Sequence, residues 1–164
     1  MLSVLRELLA SYRNTSKTER EKGTYFELLI KDFLKNDPTY YPQFSEVWTY
    51  KDWAESQGID SRDIGIDLVA GLSEEEGFCA IQCKFYDEHH RIQKSDLDSF
   101  FTASGKKGFT RRLIVDSTSG VWSEHAEAAL SNQTIETQRI GLSELENSPI
   151  NWSVYAPNKP VKLK

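Results

Sequence analysis

Cysteine is scarce in this chain of 164 residues: there are two, Cys79 and Cys83. Both fall in "CAIQCKF" (79–85), which alternates like a β-strand. Four residues apart on one strand face, they are too distant for a disulfide. A disulfide scaffold is excluded, and reduced thiols in a cytoplasmic setting are expected. A zinc finger is excluded as well, because no further ligands stand at finger spacing. Long apolar runs are missing too. None approaches the roughly 18 residues that a membrane helix needs, so a membrane is not an expected partner. The opening "MLSVLRELLASYR" has Glu7 inside its apolar stretch and no small-residue cleavage site, so it reads as an amphipathic helix rather than a targeting segment. Val4, Leu5, Leu8, Leu9 and Tyr12 share its apolar face. Nor is there an excess of positive charge: the formal net charge is −5, whereas nucleic-acid binders are usually basic. A locally basic side stays open, since Lys84, Arg91, Lys94, Lys106, Lys107, Arg111 and Arg112 cluster along the chain while acids crowd "SEEEG" and the C-terminal third. There is no repeat, no G-x-x-x-x-G-K-[S/T] phosphate loop, no helicase motif and no methyltransferase motif.

What is present is an ordinary globular composition, with 38% hydrophobic and 27% charged residues, and a length that suits one domain with a real core. Thr18 and Glu21 make a capping box for a helix through "REKGTYFELLIKDFLKN", with Phe26, Leu29, Ile30 and Phe33 as its stripe and Asn36-Asp37-Pro38 as its end. "FSEVWTY" (44–50), "IGIDLVA" (64–70), "GFCAIQCKFY" (77–86), "RRLIVDST" and "TIETQRI" read as strands. "KDWAESQGIDSRD" is a polar connection with one helical turn. "GLSEEEG" joins the second and third strands as an antiparallel hairpin. "KSDLDSFFTASG", "SEHAEAALSN" (capped by Ser123) and "LSELEN" read as helices. The expected fold class is α/β, with the order α-α-β-β-β-α-β-α-β-α and a mixed sheet of about five strands flanked by helices. Residues 1–17 are taken as an N-terminal helix, 18–150 as the core, and 151–164 ("YAPNKPVKLK" at the end) as a linker that closes no element.

The chemistry-bearing residues gather on the hairpin. Gln82 and Lys84 share one strand face. Asp67 lies in the preceding strand, and a hairpin brings its two strands within about 5 Å of each other. A carboxylate and an amide oxygen are hard ligands suited to Mg²⁺, and a lysine two residues on can act on phosphate or water. Glu27 sits at the edge of its helix's apolar stripe and can face the sheet. Asp63 is either a second acid or the cap of the turn before the strand, and turn aspartates are common. Gly65 is expected to permit a close backbone approach or a bulge. "DEHH" (87–90) is read as a solvated loop rather than a metal site. Trp48 and Trp53 are read as packing residues rather than base-stacking ones. Lys106, Lys107, Arg111 and Arg112 are candidate DNA contacts or, almost equally, a solvated loop.

"RDIGIDLVA" followed by "AIQCKFY" resembles the D-x-G-I-D … Q-x-K variant of the PD-(D/E)XK nuclease superfamily, in its Mrr-like branch. "GTYFELL" is similar to the family's first-helix motif, with Glu27 at the glutamate, and "FTRRLIVDSTSGVWSEHAEAAL" resembles its later strand and helix. "VWTYKDWAES" and "AIQCKFYDEHHRIQKSDLDSF" look most like the N-terminal nuclease domain of type ISP restriction-modification enzymes, single chains that depend on ATP. Gln82 departs from the glutamate of many members. The resemblance implies a restriction-endonuclease-like fold and Mg²⁺-dependent hydrolysis of double-stranded DNA. Asp67 and the Gln82 oxygen would hold the metal, Lys84 would orient water or stabilise developing charge, and Glu27 would assist through a water or a second metal. It further implies helicase (translocase), methyltransferase and target-recognition domains linked in one longer chain, ATP acting only through them, a second complex for double-strand cleavage, and a bacterial cytoplasmic setting. Two alternatives stay open: an inactive DNA- or protein-binding module on the same fold, and a junction-resolving nuclease.

Overall fold

A computed structural model of the protein describes residues 3–16, 18–62, 65–106 and 108–164. Two helices open the chain. Helix α1 spans Val4–Thr15 and starts where Ser3 accepts a hydrogen bond from the Arg6 N–H. Helix α2 spans Glu19–Asn36, and its Thr18 cap accepts from the Glu21 N–H. Such a cap satisfies one of the amides that a helix start leaves without a partner. The end of α2 is fixed by Asp37, whose carboxylate accepts from the Thr39 N–H and the Ser148 hydroxyl. Pro38 can then turn the chain away without breaking a helical bond.

Five strands follow: β1 (Phe44–Thr49), β2 (Leu68–Leu72), β3 (Phe78–Lys84), β4 (Phe109–Asp116) and β5 (Glu136–Ile140). They lie side by side in sequence order. The pairs β1/β2 and β2/β3 are antiparallel, while β3/β4 and β4/β5 are parallel. Helices α4 (Asp98–Ala103) and α5 (Glu124–Ser131) are the crossovers that the parallel pairs require. Helix α3 (Tyr50–Ser56) follows β1, and α6 (Leu142–Glu146) follows β5.

Strand alternation divides the core in two. Leu68, Ala70, Cys79, Ile81, Leu113 and Val115 pack with Phe26, Leu29, Ile30 and Phe33 of α2 on one face. Val69, Ala80 and Ile114 pack with Trp53, Phe100, Trp122 and Ala126 on the other. With both faces covered, β2 is buried at every residue. Each fully buried Phe, Leu or Ile contributes on the order of 1.5–3 kcal/mol. The two cysteines are free, and burial pushes the Cys79 thiol up to about 12. No helix among the described residues is long and apolar enough to cross a membrane.

The expected α/β fold is present, with several differences. The second strand, expected over 64–70, is Leu68–Leu72, so Asp67 stands just ahead of it. The connection after β1 is a two-turn helix, α3, capped by the Thr49 hydroxyl and burying Tyr50, Trp53 and Ala54. Its short apolar set is hidden among polar residues, so periodicity has too few positions to show it. Val4, expected on the apolar face of α1, is 48% exposed, while Leu5 and Leu9 are buried. The C-terminal stretch adds no named element, yet it is held to the domain. Ile150 pairs with Leu163 in an antiparallel bridge, the Asn151 N–H donates to the Lys162 carbonyl, and the Lys164 N–H donates to the Pro149 carbonyl. Tyr155 donates its hydroxyl to Asp32 of α2 at 2.6 Å. A tail without apolar periodicity is pinned here by contacts distant in sequence.

Candidate active site

The β2/β3 register pairs Leu68 with Ile81, so one step further along the hairpin sets Asp67 opposite Gln82. Backbone bonds carry the ladder to that point: the Asp67 N–H donates to the Ile81 carbonyl, and the Asp67 carbonyl accepts from the Tyr50 N–H. The turn leading in is set by Gly65. Its φ is +100°, and a Cβ there would meet the Ser99 carbonyl oxygen at 3.1 Å. Both the left-handed backbone and the close approach to α4 call for glycine.

Asp67 Oδ2 accepts two hydrogen bonds of 2.7 Å each, from Gln82 Nε2 and from the Cys83 backbone N–H. The carboxylate is therefore oriented by the next strand, independently of any ligand. Gln82 is 5% exposed, and its Oε1 is buried with no hydrogen-bond partner. An unmet buried acceptor costs about 1–3 kcal/mol. A cation beside Asp67 would remove that cost, so the donor set fits a hard divalent metal. The set is lean, because no three of His, Cys, Asp and Glu form a metal-binding group among the described residues.

Glu27 and Asp67 line one cleft of about 490 Å³, together with Arg20, Gly23, Thr24, Thr49, Tyr50, Lys51, Ser61 and Ile66. Their nearness to β3 shows in Cys83, whose thiol is pushed well above its ordinary pKa by burial and then by the negative charges of Asp67 and Glu27. Lys84, two residues beyond Gln82 at the end of β3, is half-buried. Its carbonyl accepts from the Ser117 N–H, which ties the end of β3 to the end of β4.

The remaining sequence candidates separate. Asp63 and Lys107 lie outside the described residues. Lys106 is exposed. Arg111 donates to Gln43 Oε1 and stacks on the Phe44 ring. Arg112 is corrected as a DNA contact. It is 5% exposed, donates to Ser104 Oγ, the Phe101 carbonyl and Gln133 Oε1, and lies over the Phe101 ring. Three acceptors and a ring hold its guanidinium in the interior, out of reach of a phosphate in solvent. Arg112→Ala is expected to cost about 1–3 kcal/mol by stranding those acceptors, measurable as a lower urea midpoint, with DNA affinity unchanged in the folded protein. His90 Nε2 lies 3.4 Å from Asp96 Oδ2 and its ring packs on Tyr86, while His89 is exposed. Trp53 is buried between Phe78 and Phe109, and Trp48 packs edge-on against Phe78. Sequence reading passed over the cleft residues Arg20, Gly23, Thr24 and Lys51. The signal that could have found the first three is their helical spacing to Glu27 along α2.

No curated protein matches the chain. Among solved structures it is similar to the ATP-dependent type ISP restriction-modification enzyme LlaBIII bound to DNA, with 34% identity and a TM-score of 0.73. That match covers 95% of this chain and 10% of LlaBIII, so the chain spans about a tenth of that protein's length. The MspJI restriction endonuclease in complex with a 27-mer oligonucleotide shares the fold at 15% identity and a TM-score of 0.52, over 87% of this chain and 29% of that one. The family model Mrr_cat_2, described as restriction endonuclease, matches residues 35–162, a span that takes in Asp67, Gln82 and Lys84, and the chain accordingly belongs to the restriction endonuclease family.

Proposed function

We propose that this chain hydrolyses DNA phosphodiester bonds with Mg²⁺ as its cofactor, as the nuclease part of a longer, ATP-dependent restriction-modification enzyme of the type ISP kind in the bacterial cytoplasm. The observation that carries the reading is the unpartnered Oε1 of Gln82, whose Nε2 donates to the oriented carboxylate of Asp67, a residue that lines one cleft with Glu27. Asp67 and Gln82 Oε1 would hold the metal, with Glu27 as the further carboxylate. When bound, the metal supplies charge neutralisation at the phosphate and a more acidic water. Lys84 stabilises negative charge developing on the phosphate oxygens. The Cys83 N–H keeps Asp67 aimed, so little reorganisation is needed at the moment of reaction. Helicase, methyltransferase and target-recognition functions, and the second complex needed to cut both strands, belong to the longer enzyme. This chain alone is expected to cut weakly and without sequence preference, since a net charge of −5 gives little general attraction to a polyanion.

The direct experiment is incubation of supercoiled plasmid with the chain in Mg²⁺ and in EDTA. Nicking in Mg²⁺ that EDTA abolishes is expected; cleavage indifferent to EDTA would remove the metal from the proposal. Gln82→Glu tests the ligand assignment separately. It replaces the Nε2 donor to Asp67 with a second carboxylate facing it, a pair that a cation between them relieves, so calorimetry should show Mg²⁺ bound more tightly, with some activity kept. Weaker Mg²⁺ binding would mean that Gln82 is not a ligand.

A further inference from the structure

The wall of the cleft formed by α2 carries two choices that local helix physics disfavours. Arg20 is the second residue of α2, and a cation in the first turn opposes the helix dipole. Gly23 stands in the helix interior, where glycine is the poorest residue after proline. The protein itself does not require it: a Cβ at Gly23 would meet nothing within 4 Å, and its φ is not in the left-handed region. With Thr24 and Glu27, both residues line the cleft at the spacing that places them on one helix face. Lys51, the second residue of α3, lines the same cleft. Both cations are exposed, and neither is engaged in an ion pair among the described residues. Where local rules are broken side by side on a surface, a functional constraint is the usual cause. An anionic chain lying against this wall would account for both breaches at once. It needs a positive charge at the rim and a bare stretch of helix for its backbone to pass.

We infer that this cleft seats the scissile DNA strand, whose backbone passes over Gly23 while Arg20 of α2 and Lys51 of α3 each take one phosphate beside the one presented to Asp67. The inference rests on the nuclease reading and adds the positioning residues for its substrate. An acidic domain would then hold DNA by two cations, from α2 and α3, in the cleft that Glu27 and Asp67 also line, rather than by a basic surface.

The test is equilibrium binding of a fluorescein-labelled duplex across a salt series, with Ca²⁺ in place of Mg²⁺. Each phosphate contact contributes about 0.9 to the slope of log affinity against log salt. Arg20→Ala and Lys51→Ala should each lower that slope by about one, and the double variant by about two. Lys159→Ala, an exposed lysine distant in sequence from the cleft, should leave it unchanged. Gly23→Ala separates a binding role from a structural one. Its melting temperature should hold or rise, since alanine is the better helix former, while DNA affinity falls about tenfold, the scale of one intrusive methylene. Wild-type slopes in both cation variants, or wild-type affinity in Gly23→Ala, would overturn the inference, and so would the absence of any salt-dependent association by the wild-type chain. If the wild-type chain nevertheless nicks plasmid in Mg²⁺ and not in EDTA, the nuclease reading survives without these contacts.

Discussion

Asp67→Asn is expected to reduce Mg²⁺-dependent cleavage by on the order of 10³-fold or more, the scale seen when a group that stabilises transition-state charge is removed. Asparagine is the informative replacement. Asp67 Oδ2 accepts from both Gln82 Nε2 and the Cys83 N–H at 2.7 Å, and an amide oxygen can keep accepting from both while the negative charge is lost. Alanine would strand those two donors and add a stability cost of about 1–3 kcal/mol for each one left buried and unmet, which would confuse folding with chemistry. Plasmid cleavage and thermal melting, run in parallel, decide the matter. A folded Asp67→Asn protein that cuts at the wild-type rate would dismiss Asp67 as the metal-holding carboxylate. Lys84→Ala is the complementary variant: it should lose cleavage while its Mg²⁺ titration stays close to wild type, because an ammonium repels rather than binds the metal.

The largest stability effect is expected away from the cleft, at Asp116. This residue ends β4 and has no exposed surface. Its two oxygens accept from Arg139 Nε at 2.8 Å and Nη2 at 3.1 Å, from the Thr118 N–H and hydroxyl, and from Trp122 Nε1. Arg139 also lies over the Trp122 ring, 5.0 Å from its centroid. Asp116 is buried while the Arg139 side chain is 21% exposed, so removing Asp116 leaves a largely buried charge uncompensated, at a cost of up to about 3–5 kcal/mol. Asp116→Ala should therefore remove a large share of the roughly 5–15 kcal/mol that a domain this size has, seen as a large drop in the urea midpoint. A loss below about 1 kcal/mol would show that water reaches Arg139 freely and that the network is peripheral. The network sits directly opposite Lys84, the Cα partner of Asp116 in the parallel β3/β4 register. Partial unfolding there should therefore also disturb β3, the strand that carries Gln82 and Lys84.

Much of this molecule was legible in one dimension because the relevant physics is local. Helix α2 declares itself by its Thr18 cap and its Phe26–Leu29–Ile30–Phe33 stripe, both set by residues within a few positions of one another. Asp67 and Gln82 could be placed together because a hairpin is a short-range structure with period-two side chains: a polar residue inserted in an apolar strand has a determinate face and neighbour. Other features depend on which distant segments meet, and no local pattern encodes that. Arg112 and Lys106 look alike in a basic run, yet one is consumed by Ser104, Phe101 and Gln133 in the interior and the other stays in solvent. The C-terminal stretch reads as an unanchored tail until Ile150 pairs with Leu163 and Tyr155 reaches Asp32 across 123 positions. The cleft is the clearest case. Arg20 and Lys51 come from helices joined through β1, and they line one opening with Asp67 only because packing of both helices on the sheet puts them there. The sequence by itself determined which residues can bear the chemistry, through residue type and short-range spacing. The tertiary structure alone decided which of them are spent on holding the protein together and which remain open to a substrate, because burial and partner choice are settled only when remote segments compete for the same groups.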